Sequence, residues 1–253
     1  MFDPWEGPYY RTDEGLFAST RVLVLGESHY ARKALEVGTT PDGFTGDVVR
    51  WFGLGARESL FFRNTVRAVL GLPTGEAWKG HSPSFWNSVA FYNYVPVLVD
   101  GRPKADGGNE RRPEDWMFKA GAEPFKTILD RLEPQAVIVC GLTLWEWVAP
   151  QLDAFEGKPR DVIFYDDGRS VFARIHHPSY RKFDADHWYG RLHRLIEKTA
   201  EPRERGAKVM WSKEAEGGVD PISPDRRRLG LCTEPDELAG RANFRPECGW
   251  TSQ

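Results

Sequence analysis

Three polar stretches hold the side chains with which this chain could do chemistry: Gly26-Glu27-Ser28-His29-Tyr30, Asn93, and His177-Pro178-Ser179. Glu27 offers a carboxylate that can hold a water. Asn93 carries a donor and an acceptor on one carboxamide, and His177 supplies an imidazole that can donate to developing charge. Brought to one rim, these groups would read a polar ligand and stabilise charge on it while a water is positioned.

Each stretch follows an apolar run. Residues 21–25 (RVLVL) read as a buried strand that Gly26 closes. Residues 88–94 (SVAFYNY) form a second strand and deliver Asn93 near its end. Residues 136–140 (AVIVC) form a third, with Gly141 after it. Residues 171–175 form the fourth and run straight into His176 and His177. Residues 162–165 suit a minor strand before an Asp166-Asp167-Gly168 turn. Helices alternate with these runs. One spans 59–70, with apolar residues at 62, 66, 69 and 70, and Gly71 and Pro73 stop it. Pro124 opens another, with Phe125, Ile128, Leu129 and Leu132 on one face. A third contains Leu144, Trp147 and Val148, and a fourth spans 187–198. This alternation predicts a three-layer α/β/α fold around a central, mostly parallel four-stranded sheet. Such sheets bind ligands outside the carboxyl ends of their strands, and all three polar stretches fall there.

Composition sets the bounds. The chain has 253 residues and 40% hydrophobic content, enough for one α/β core over residues 1–200. Beyond it, Pro, Gly and charge dominate a polar extension over 201–253. The net charge of −3 excludes a generally basic nucleic-acid coat, so any nucleic-acid contact must be a local patch. The three cysteines, Cys140, Cys232 and Cys248, form no CxxC pair, which points to a cytoplasmic chain without a disulfide framework. They are too few for a four-cysteine cluster. The first ten residues read as neither a signal peptide nor a basic arm, and no apolar run nears the roughly 18 residues of a membrane span.

The strand-then-GESHY pattern resembles the first motif of the uracil-DNA glycosylases, whose forms include Gly-Gln-Asp-Pro-Tyr and Gly-Glu-Ala-Pro-Gly. His177-Pro178-Ser179 resembles their second motif. Asn93-Tyr94-Val95-Pro96 is similar to the Asn-Tyr-Cys-Pro run of the single-strand-selective branch. The likeness holds in order and spacing from about residue 20 to residue 200. It implies a monofunctional DNA glycosylase that hydrolyses the N-glycosidic bond of a flipped-out uracil-like, deaminated or modified base and leaves an abasic site. By this resemblance Glu27 positions water, Asn93 reads the Watson–Crick edge, and His177 donates to the leaving base. Gly26, Ser28, His29, Tyr30, Phe44, Phe91 and Ser179 would surround the base, with Phe52 a further stacking candidate. Tyr180 or Arg181 stands at the wedge position, and Lys182, Arg102, Lys104, Arg111 and Arg112 would meet the DNA. The partner is DNA carrying a damaged or modified base. No metal, cofactor or membrane is expected, and without a motif lysine no Schiff-base lyase activity follows.

The departures from the family patterns carry information. Ser28 stands where one branch has a water-polarising Asp, so Glu27 becomes the nearest carboxylate. His29 replaces the motif proline. Tyr30 matches the tyrosine that excludes a 5-methyl group in the uracil-specific branch, yet a loop reshaped by His29 opens other targets. These include deaminated purines in repair and glucosylated or otherwise hypermodified cytosine in antiviral defence. Three other readings fit parts of the same residues. Residues 26–30 approach the G-x-S-x-G nucleophile elbow with Tyr30 in place of the last glycine. His176, His177, His187 and His193 suggest a metal site, although adjacent strand residues face opposite ways. A non-catalytic base-binding module of the same fold would account for Ser28.

Overall fold

Short apolar runs form the centre of the fold in the computed structural model, which describes residues 1–18, 20–55, 57–102, 112–200 and 209–212. The strands are β1 (Trp5–Glu6), β2 (Val22–Gly26), β3 (Tyr30–Ala31), β4 (Ala90–Asn93), β5 (Val99–Asp100), β6 (Ala136–Cys140), β7 (Val162–Asp166), β8 (Val171–Ile175) and β9 (Val209–Ser212). The α-helices are α1 (Phe44–Val49), α2 (Leu60–Leu70), α3 (Trp78–Ser88), α4 (Asp115–Leu132), α5 (Leu142–Val148) and α6 (Ala185–Ala200).

The main sheet has seven strands in the order β1-β4-β2-β6-β8-β7-β9, and β3 pairs with β5 in a small second sheet. The expected four strands, β4, β2, β6 and β8, lie side by side and parallel at its centre. The sheet as a whole is larger than four strands and mixed, because antiparallel strands complete both edges. β1 is too short to show a period. β7 is a full five-residue strand that turns back onto β8. The Asp166 and Asp167 carboxylates accept the N–H groups of Gly168, Arg169 and Ser170, and that tight turn forces the antiparallel direction. β9 lies beyond residue 200, in the stretch read as a polar extension; the rest of that extension lies outside the described residues.

Side-chain alternation divides the sheet's two faces. Val22, Val24, Phe91, Ile138, Cys140, Ala173 and Ile175 pack with α2, α3 and α6 on one face. Leu23, Leu25, Tyr92, Val137, Val139 and Phe172 pack with α4 and α5 on the other. The result is a layered α/β/α arrangement.

One helix boundary differs from expectation. Pro124 does not open a helix; it lies inside α4. Met117, Phe118, Phe125, Ile128 and Leu132 form a buried face that runs through the proline. Five such side chains contribute about 1.5–3 kcal/mol each, against the roughly 3 kcal/mol cost of an interior proline. Gly121 permits the close approach, since a Cβ there would lie 2.5 Å from the Tyr94 carbonyl. Among the described residues no helix is long and apolar enough to cross a membrane.

Candidate active site

Period-two alternation carries Asn93 and His177 to the same side of the sheet. Asn93 shares parity with Phe91 on β4, and His177 continues the parity of Ala173 and Ile175 beyond β8; all three apolar residues face α2, α3 and α6. The strands that bear them are separated by β2 and β6, so three spacings of about 4.8 Å put them about 14 Å apart at the backbone.

Asn93 rests on glycine. It is the register partner of Gly26, and a Cβ added to Gly26 would lie 2.0 Å from Asn93 Oδ1 and 3.3 Å from Phe91 Cε2. The bare Gly26 backbone therefore makes the seat of the carboxamide. Asn93 is buried, and none of the described residues hydrogen-bonds its side chain. A buried amide is ordinarily paired; among the described residues the donor and acceptor of Asn93 have no protein partner.

His177 sits on a tight turn. The Tyr180 N–H donates to its carbonyl at 2.8 Å, and the Ser179 N–H donates to its Nδ1 at 3.2 Å. A backbone N–H only donates, so Nδ1 holds a lone pair. Burial, with the Arg112 cation adding to it, lowers the imidazole pKa to about 4. A neutral ring accepting at Nδ1 carries its proton on Nε2, and His177 is thus a neutral hydrogen-bond donor. The Phe61 ring lies 5.5 Å from it, and Gly141, at a backbone φ of 139° that suits glycine, comes within 3.8 Å of its Cδ2 as measured to an added Cβ.

Glu27 is buried directly after β2, where its backbone carbonyl accepts the Val95 N–H at 3.0 Å. Burial raises its carboxyl pKa above the ordinary value, and the Arg112 cation opposes that rise. Arg112 therefore acts on both titrating groups. It favours the ionised carboxylate and the neutral imidazole together.

The remaining expected residues divide. Phe91 forms the floor, with its ring 5.7 Å from Phe61 and 5.8 Å from Phe62. His29 is buried, and its Nε2 shares a 3.0 Å hydrogen bond with Thr45 Oγ1. Its ring packs on Phe2 and Phe44, and burial lowers its pKa to about 3. It thereby ties the first motif to α1 and holds Phe44 near the loop. The Ser28 hydroxyl is buried without a partner among the described residues, so no base is bonded to it as a nucleophile elbow would need. Tyr30 and Phe44 pack with the apolar cluster of the α4 side, and Phe52 lies tilted against Phe62 in the other. Ser179, Tyr180, Arg181 and Lys182 are exposed beside His177. Arg102 makes two 2.8 Å bonds to the Asp100 carboxylate. Lys104 and Arg111 lie outside the described residues.

Sequence reasoning missed Asn64 and Phe61 on α2. Asn64 Nδ2 donates to the Pro178 carbonyl at 2.7 Å. Its signal was legible as a polar residue within the apolar face of a helix. Among the described residues no group of three His, Cys, Asp or Glu side chains could hold a metal ion, so the four-histidine reading finds no geometry there. Comparison with models of protein families and with curated proteins finds no match.

Proposed function

We propose that this protein is a monofunctional DNA glycosylase of the uracil-DNA glycosylase type. It would release a uracil-like, deaminated or modified base and leave an abasic site. The observation that carries this reading is the pairing of Asn93 and His177: a buried carboxamide with no hydrogen-bond partner among the described residues faces the same rim as a neutral Nε2–H donor. The base enters between them over Phe91. Asn93 reads its edge. The N-glycosidic bond breaks with its electron pair going to the base, and the His177 Nε2–H hydrogen-bonds the anionic base that forms. Water held by the Glu27 carboxylate adds to the sugar carbon and gives its proton to that carboxylate, and the base anion takes up a proton from solvent. Ser28, whose hydroxyl has no partner among the described residues, stands beside that carboxylate in the sequence.

Three exposed apolar side chains lie close along the chain to His177 or to its contacts. Leu60 (48% exposed), Leu142 (41%) and Tyr180 (51%) each lie within three residues of His177 or of a group in contact with it. That placement suits side chains that take the space of an extruded base. Arg112, Arg181 and Lys182 supply positive charge at the same edge.

The test is incubation with oligonucleotides containing uracil, hypoxanthine, xanthine, 5-hydroxymethylcytosine or a glucosylated base, followed by alkaline cleavage of abasic sites. Strand scission at one of these bases supports the reading. A gel shift on such DNA without scission supports instead a non-catalytic base reader, the reading to which Ser28 lends weight. Binding unchanged between low and physiological salt argues against DNA as the ligand.

A further inference from the structure

α2 buries Phe61, Phe62, Thr65, Val66, Ala68 and Val69, and among them it buries the carboxamide of Asn64. A buried amide is costly unless it is paired. Thr65 next to it satisfies its hydroxyl within the helix, donating to the Phe61 carbonyl at 2.8 Å. Asn64 reaches out of the helix instead. Its Nδ2 donates to the Pro178 carbonyl at 2.7 Å, and its Oδ1 accepts a long 3.4 Å contact from Arg63 Nε, which assigns the two ends of the amide.

The Pro178 carbonyl and the Ser179 N–H are the two ends of one planar peptide unit. Asn64 holds the carbonyl end, and the other end donates to His177 Nδ1 at 3.2 Å. Phe61 lies three residues before Asn64, on the same face of α2, and its ring packs on the His177 ring. α2 therefore grips the His177 turn at two points: the imidazole itself and the peptide that sets its hydrogen bond. Hydrogen bonds in series polarise one another, so the first strengthens the second.

We propose that Asn64 is the positioning residue of the site, fixing the 178–179 peptide so that His177 stays in the Nε2–H tautomer with that N–H directed at the ligand. Asn64 does not touch the substrate; it acts through the peptide. The inference rests on His177 serving as a donor in the proposed function. It also gives a physical reason for a buried carboxamide in an otherwise apolar helix face.

The experiment is long-range ¹H–¹⁵N correlation spectroscopy of histidine side chains in the full chain, with the His177 signals assigned by their loss in His177→Gln. The wild-type protein should show the Nε2–H tautomer alone. Asn64→Ala, and Asn64→Asp, which is nearly isosteric but lacks the donor, should both show mixed tautomers and a His177 that titrates at higher pH than in the wild type. Asn64→Gln, which keeps a donor on a longer arm, should recover part of the effect. On a cleaved oligonucleotide, Asn64→Asp should lower kcat by about 100-fold with KM changed only a few-fold. An unchanged single tautomer and unchanged titration in the Asn64 variants would overturn the proposal. If neither Asn64→Ala nor Asn64→Asp folds, an Nδ1–H tautomer in the wild type would overturn it by itself. The tautomer is read without substrate, so absence of base release from every oligonucleotide would sink the glycosylase reading and leave this result standing.

Discussion

Gly26 and Asn93 are register partners on neighbouring parallel strands, and a Cβ on Gly26 would fall 2.0 Å from Asn93 Oδ1. No side chain other than hydrogen leaves the carboxamide where it is. Gly26→Ala should therefore keep the fold while displacing Asn93. The expected cost is about 1–3 kcal/mol in stability, from overpacking, and a fall of about 100-fold or more in base release. Thermal unfolding and single-turnover kinetics together check this. Full activity in Gly26→Ala would show that the position of Asn93 does not matter.

Arg112 links the protonation states of Glu27 and His177. Burial raises the Glu27 pKa and the Arg112 cation pulls it back; burial and the same cation both lower that of His177. In Arg112→Gln both pKa values should move up. In the proposed role Glu27 holds water as the ionised carboxylate, so the acid limb of kcat/KM should shift to higher pH in the variant, and NMR titration should show His177 protonating above its wild-type value of about 4. A pH profile identical to wild type would remove Arg112 from the site.

His29 and His177 also set the response of stability to acid. Both have folded pKa values depressed by burial, to about 3 and about 4 from 6.5. Above 6.5 neither state binds the proton and the full stability is present. As pH falls from 6.5 towards 3 the unfolded chain takes up protons that the fold refuses, and stability is lost. Each such histidine contributes a slope of about 1.4 kcal/mol per pH unit within its window. His29→Gln, which can still bond Thr45 Oγ1, should flatten the dependence of unfolding free energy on pH between 6 and 4. An unaltered slope would mean that His29 is not the buried neutral imidazole described above.

Tyr180 is half exposed just beyond the His177 turn. If it fills the space of an extruded base, Tyr180→Ala should slow release from duplex DNA more than from single strands, where no stack has to be opened. A difference of about tenfold between the two substrates is expected for a few kcal/mol of unstacking partly supplied by one side chain. Equal losses on both would make Tyr180 a simple contact.

Much of this site was legible in the sequence because strands announce themselves by apolar runs and by period two. Those rules place Asn93 and His177 at strand ends on one rim, and they find the parallel centre of the sheet. The edges were hidden. β1 has two residues and carries no period, and β9 follows a polar stretch. Pro124 misleads because local proline chemistry argues for a helix start, whereas the packed face from Met117 to Leu132 decides the outcome. The role of His29 depends on Thr45, sixteen residues away, and on burial that no local pattern encodes. Asn64 pairs with a carbonyl 114 residues distant, so only the fold reveals its partner.

In the proposed function Asn93 and His177 jointly bind a base while its glycosidic bond breaks. The most direct measurement is single-turnover abasic-site formation on the oligonucleotide panel by wild type, Asn93→Ala and His177→Ala, each shown to be folded by circular dichroism. The account predicts scission at one or more modified bases by the wild type, and a loss of about 100-fold or more in each variant. Scission by the wild type with full activity in both variants, or no scission at any base, would contradict it.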